Sequence, residues 1–232
     1  MQTPRPLSFD FAPWRLSGTV YGTLLNDPAA LAALGDAVHA APYKAPPIAP
    51  VLYVKPRNTL ARNGASTAVP ASAKALEIGA SLGIVIGRAT GRISMQDALS
   101  HIAGWTLVGD LSVPHGSFYR PSVRFKALDG SCLLGPRVVP VDAISDPDAL
   151  TLEVATSGSG VCSFTTSGMQ RRVAQLIQDV SAFMTLSAGD VLMLGVKAGA
   201  PQAKAGQSFS IDCAQIGNLQ GHLVAQTPEV VA

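Results

Sequence analysis

A mostly β fold with a few helices (an α+β chain) is what this sequence predicts, and three observations carry the prediction. Short apolar runs such as TVYGTLL, VLYV, IVIG and VLMLGV recur, each bounded by Gly, Pro, Asn or Asp. Few segments carry the i, i+3, i+4 apolar spacing of an amphipathic helix. Hydrophobic residues make up 47% of the 232 and charged residues only 14%; such a chain has enough apolar surface for one sizeable core.

The elements follow in order. Thr19–Leu25 reads as a first strand, and Asn26-Asp27-Pro28 as a helix start with Asp27 as N-cap and proline in the first turn. Leu31, Leu34 and Val38 would form that helix's buried stripe, and Pro42 would stop it. Prolines flank a strand at Val51–Val54, and Lys55-Pro56-Arg57-Asn58 follows as a rigid loop. Ala80–Ile86 reads as a buried strand closed by Gly87, and Trp105–Asp110 as a second strand with an acid at its tip.

Between them, Ser94 with Asp97 three residues on suggests a capped helix that turns Met95, Leu99 and Ile102 inward and ends at Gly104. Pro114–Pro136 is irregular and polar, the pattern of a functional or contact loop. Leu150–Thr156 and Val161–Thr165 flank Ser-Gly-Ser-Gly as a hairpin. The longest predicted helix covers Thr166–Met184, with Met169, Val173, Leu176, Ile177 and Val180 as its stripe and Arg171 and Arg172 outward. Strands near 191–196, Phe209–Cys213 and Leu219–Ala225 close the chain. The expected organisation is a Pro-rich arm at 1–17, one domain at 18–226 and a tail at 227–232.

A net charge of +2 without any Lys/Arg block argues against a nucleic-acid partner and suits a small anionic ligand. No apolar run is long enough for a membrane span, and the first residues lack a signal-peptide pattern. Three dispersed cysteines with no zinc spacing are expected to be free thiols in a reducing compartment, so the expected location is cytoplasmic.

The segments YKAPP, KPRNT, IVIGR, IAGWTLVGD, SFYRP, KALDGSCLLGP, LSAGDVLMLG and IGNL carry a resemblance across nearly the whole chain. They resemble the fumarylacetoacetate hydrolase family, and within it the amino-terminal half of its two-repeat isomerase/decarboxylases of 4-hydroxyphenylacetate breakdown. That resemblance implies a mixed β roll or sandwich and a decarboxylase or isomerase subunit acting on an unsaturated 2-oxo di- or tricarboxylic acid. The substrates it implies are 5-oxopent-3-ene-1,2,5-tricarboxylate and 2-hydroxyhepta-2,4-diene-1,7-dioate. It also implies a divalent cation, Mg²⁺ or Mn²⁺, held by three carboxylates, and a homo-oligomer or a hetero-oligomer with a metal-binding paralogue. The alternative it leaves is a catalytically impaired structural subunit beside such a paralogue.

Alignment on Val85–Gly87 keeps Asp110 as a metal ligand but puts Gly79 and Ser81 where the family has its glutamates, with Glu77 two residues away. The metal is therefore expected to be weak or absent. The first loop, Asn26–Ala30, lacks the family's histidine, and Gly195-Val196-Lys197 lacks the hydroxyl of a Gly-Thr-Pro turn. Cations and amides remain. Lys126 and Lys55 are candidates for polarising a substrate, and His115 for moving protons. Arg57, Asn58, Tyr119, Arg120 and Arg124 are candidates for binding its carboxylates.

Overall fold

The computed structural model describes residues 18–119 and 122–227. The arm at 1–17, Arg120 and all but the first residue of the tail lie outside the described residues. The first strands are β1 (Val20–Leu24), β2 (Val51–Lys55), β3 (Leu60–Arg62), β4 (Ser66–Val69), β5 (Leu76–Ile86) and β6 (Ile102–Ser112). They are followed by β7 (Cys132–Val139), β8 (Thr151–Thr156), β9 (Ser159–Thr165) and β10 (Val191–Met193). Finally come β11 (Gln202–Ala203), β12 (Ser208–Cys213) and β13 (Gly217–Ala225). The α-helices are α1 (Pro28–Ala32), α2 (Val123–Lys126) and α3 (Val173–Ser181). An eight-stranded sheet runs β2-β1-β10-β5-β6-β7-β3 with β11 beside β5, and a five-stranded sheet runs β4-β13-β12-β8-β9.

The antiparallel pair β5–β6 is the spine, and its side chains sort by the period of two. On one face Leu76, Ile78, Leu82, Ile84, Trp105, Leu107 and Leu111 are fully buried. They join Leu152, Val154, Phe209, Ile211, Leu219 and Leu223 of the second sheet in the main core. Burying each such side chain stabilises by about 1.5–3 kcal/mol. The helix α3 adds Val173, Leu176, Ile177 and Val180, one unbroken i, i+3, i+4, i+7 stripe.

The other face of the pair carries small or polar residues: Glu77, Gly79, Ser81 and Gly83 on β5, facing Ser112, Asp110, Val108 and Thr106 on β6. The space there is narrow. A Cβ on Gly83 would come within 2.8 Å of the side chains of both Thr106 and Val108. The cause is curvature. Four strand-to-strand steps separate β2 from β6, roughly 19 Å in a flat sheet at about 4.8 Å per step. Yet the Tyr53 hydroxyl of β2 reaches Asp110 of β6 at 2.5 Å. The sheet is rolled into a half-barrel, and this second face is its concave interior.

Several expectations are corrected. The residues after Ser94 do not form an α-helix: Ser94 and Asp97 exchange their capping bonds, but only a 3₁₀ turn at Ala98–His101 follows. Met95 and Leu99 are exposed at 47% and 44%, and Gly104 lies inside β6, because pairing with β5 already begins at Ile102. The first helix is one short α-turn plus a 3₁₀ turn, with Leu31 and Leu34 half-buried rather than in the core. Pro114–Pro136 is not structureless throughout; it contains α2 and the start of β7. The long helix is shorter than expected, at Val173–Ser181. Arg171 is not solvated, since it pairs with Asp179 at 2.8 Å and donates to the Ile48 carbonyl.

Candidate functional site

The ends of β2, β5 and β6 converge inside the half-barrel on one buried carboxylate. Asp110 is 1% exposed, and both its oxygens are engaged. Lys55 Nζ donates to Oδ1 at 2.9 Å, and Lys126 Nζ donates to Oδ2 at 2.6 Å. The Tyr53 hydroxyl also donates to Oδ2. Tyr53 gets there because its registered partner on β1 is Gly22, where a Cβ would fall within 1.9 Å of the Tyr53 ring. The ring lies where a side chain on residue 22 would stand.

Lys55 is a buried post. Its three N–H donors go to Asp110, to the Lys126 carbonyl at 2.5 Å and to Ser131 Oγ at 3.2 Å. Lys126 is different. It sits at the end of α2, over the Tyr53 ring at 4.9 Å, and faces an open cavity of about 310 Å³. That cavity is also lined by Tyr53, Glu77, Asp110, Ser112, His115 and Lys197.

One carboxylate against two ammoniums leaves the cluster one net positive charge. Burial alone would raise the Asp110 pKa, but the charges of Lys126 and Lys55 and the bonds from Lys126 and Tyr53 hold it well below the usual carboxylate range. Burial, and then the Asp110 charge, push the Tyr53 phenol upward. Cys132, registered opposite Asp110, is pushed by burial to about 12 and stays a thiol. The sign of the acid dependence follows. A carboxyl depressed on folding contributes stability above its unfolded value of about 3.9 and loses it as pH falls further. The urea midpoint is therefore expected to drop steeply below about pH 4, and the Asp110→Asn variant to show a flatter slope in that window.

The residues present do not fit a divalent cation, which takes several oxygen ligands. Both oxygens of Asp110 face ammoniums. A Cβ on Gly79 would meet the Asp110 carbonyl at 2.7 Å and the Val196 side chain at 3.0 Å, so Val196 fills the first glutamate's place. Ser81 spends its hydroxyl on the Leu82 carbonyl and on the Gly195 N–H at 3.1 Å. Glu77 stands one residue pair along, 3.4 Å from Ser112 Oγ. Among the described residues no three His, Cys, Asp or Glu side chains gather as a metal-binding group.

The profile of the family described as fumarylacetoacetate (FAA) hydrolase C-terminal matches residues 19–224. The chain belongs to the fumarylacetoacetate hydrolase family. It is 36% identical over 189 residues to the 4-hydroxyphenylacetate degradation bifunctional isomerase/decarboxylase of Escherichia coli, covering 82% of this chain and 42% of that protein. The protein of that name from Salmonella dublin is 34% identical over 211 residues, covering 91% and 48%. The chain thus spans less than half the length of these relatives. The crystal structure of 5-carboxymethyl-2-hydroxymuconate delta-isomerase from Mycobacterium smegmatis superposes with a TM-score of 0.74 at 26% identity, covering 91% of this chain and 80% of that one. These family relatives are named as isomerases and decarboxylases. No helix among the described residues is long and apolar enough to cross a membrane.

The sequence-level candidates divide sharply in space. Lys126, Asp110, Glu77 and His115 share the cavity. Lys55 lies behind it, buried against Asp110. The described members of the expected carboxylate-binding set do not line the cavity. Arg57 is exposed. Asn58 bonds Asp129 at 2.5 Å. Tyr119 packs edge-on to Tyr43, and Arg124 lies over Phe125 at 5.8 Å. Sequence reasoning missed Tyr53, Val196 and the cavity-facing Lys197, which pairs with Asp27 at 3.3 Å. The Gly22–Tyr53 pairing was the one signal available for Tyr53, and it needs the strand register to be seen.

Proposed function

We propose that the chain is an enzyme subunit that converts an unsaturated 2-oxo di- or tricarboxylic acid without a metal, Lys126 taking the electrophilic role of a divalent cation. Decarboxylation β or vinylogous to a carbonyl places the departing electron pair on that carbonyl's oxygen. A preorganised positive group at that oxygen lowers the barrier. One observation carries the reading: the Lys126 ammonium faces the cavity while Asp110, itself held by Lys55 and Tyr53, fixes it from behind. A lysine ammonium has three donors, and Asp110 takes one, so the charge is positioned with donors to spare. Its direct contact with the Asp110 carboxylate suits a role in charge stabilisation.

The family resemblance implies 5-oxopent-3-ene-1,2,5-tricarboxylate as substrate, with 2-hydroxyhepta-2,4-diene-1,7-dioate as product or second substrate, and the relatives named as isomerase/decarboxylases of 4-hydroxyphenylacetate degradation support that class of reaction. The purified chain is expected to release CO₂ from the tricarboxylate equally well with EDTA and with added Mg²⁺. Turnover that appears only with Mg²⁺ overturns the reading.

A second reading rests on the metal site. With Gly79 and Ser81 at the glutamate positions and no metal-binding group among the described residues, the chain also suits one subunit of a pair whose other member carries a glutamate-bearing metal site. That arrangement predicts turnover only when both chains are present.

A further inference from the structure

We propose that His115 is the catalytic base and acid of this site, the group that delivers the proton to carbon in the isomerase half of the function proposed above. The inference rests on the reading of Lys126 as electrophile and adds a proton-transfer group to it.

The geometry is specific. His115 Nδ1 lies 2.8 Å from the Val113 carbonyl, which can only accept, so Nδ1 carries the hydrogen. In the neutral ring Nε2 then holds the lone pair. That atom is buried and has no hydrogen-bond partner, yet the residue lines the cavity beside Lys126. A buried polar atom left without a partner costs free energy unless a ligand or water completes it. The ring is held in place. It stacks on Phe125 with centroids 4.9 Å apart and planes at 13°, and it meets Phe118 at 5.5 Å. Phe125 precedes Lys126 in α2, and its carbonyl accepts from the Val113 N–H at 2.9 Å. One short helix thus positions both the cation and the imidazole.

The chemistry balances without a co-reactant. In a 2-hydroxy-2,4-dienoate, Nε2 takes the proton of the enol oxygen while the Lys126 ammonium stabilises the dienolate oxygen. The oxygen's electron pair then forms the C2 carbonyl, and the C2–C3 double bond moves to C3–C4. The former C4–C5 π pair takes a proton at C5 from the imidazolium Nε2–H, which restores the neutral ring. Decarboxylation needs only the cation, whereas ketonisation needs a proton delivered to carbon, so His115 separates the two reactions.

The test uses the whole chain in EDTA with two substrates. One is 2-hydroxyhepta-2,4-diene-1,7-dioate in D₂O, followed by loss of dienol absorbance and by deuterium at C5. The other is the tricarboxylate, followed by CO₂ release. His115→Asn keeps a side-chain N–H near the Val113 carbonyl but removes Nε2. It is expected to slow ketonisation about 100-fold or more, a loss that exceeds any loss of CO₂ release by at least about tenfold. His115→Ala is expected to regain ketonisation with added imidazole, a rescue that a packing defect does not give.

Ketonisation that survives in His115→Asn overturns the assignment and leaves Lys126 standing. Equal loss of both reactions, without imidazole rescue, overturns it in favour of a structural role. If the wild-type chain performs neither reaction, the electrophile reading falls, and His115 with it.

Discussion

Asp110→Asn is expected to cost about 3–5 kcal/mol of unfolding free energy, because it leaves a fully buried ammonium with no counter-charge. Lys55 has a side chain with no solvent exposure, and Asp110 is its only anionic partner among the described residues. The amide preserves shape but not charge, so the loss isolates the electrostatic term. Urea denaturation at neutral pH measures it as a lower midpoint at unchanged slope. Adding Lys55→Met to Asp110→Asn should recover part of the loss, since it removes the stranded charge. If Asp110→Asn is as stable as wild type, the buried pair is not the keystone described above.

Lys126→Met is expected to behave in the opposite way, with a large effect on turnover and a small one on stability. Asp110 would keep Lys55 and Tyr53, so the stability cost should stay near about 1–2 kcal/mol, the scale of one charge-assisted hydrogen bond. Turnover should fall about 10²–10³-fold, the cost of losing one preorganised group at a developing oxyanion. The loss should appear in kcat as well as kcat/KM, because the charge on the oxygen develops only along the reaction. A Lys126→Met chain with wild-type kcat removes the lysine from the chemistry.

The spine of the fold was legible because an apolar run bounded by turn residues is a local signal. The buried runs at 80–86 and 105–110 identify β5 and β6 without any knowledge of neighbours. Gly79, Ser81 and Gly83 blurred the start of β5, since a tight concave face selects small residues that carry little strand signal. The Ser94–Asp97 pair was read correctly as a cap and wrongly as a helix. Its two hydrogen bonds form, but they leave no room for α-turns before β6 begins.

At the site, Asp110 and Lys126 were readable from their motifs. The depth of Lys55 was not: its burial depends on the roll of the sheet, which brings β2 against β6 across four intervening steps. The placement of the other polar candidates was equally hidden: Arg124 lies over Phe125, Tyr119 against Tyr43, and Asn58 bonds Asp129, all outside the cavity lining.

The roll of the sheet also fixes when this site can exist during folding. Tyr53 and Asp110 are 57 positions apart in the chain, and β10, the three-residue strand between β1 and β5, comes from the far end of the sequence. No local hairpin can bring the phenol to the carboxylate. Such non-local pairings pay their loop-closure entropy before they are rewarded, and they form slowly. Among the described strands, β10 links the β2–β1 pair to the β5–β6 pair, so the Lys55–Asp110 contact depends on residues from distant parts of the chain. The cage around Asp110 thus belongs to the closed half-barrel, the arrangement in which Lys126 and Lys55 hold its carboxyl below the usual range.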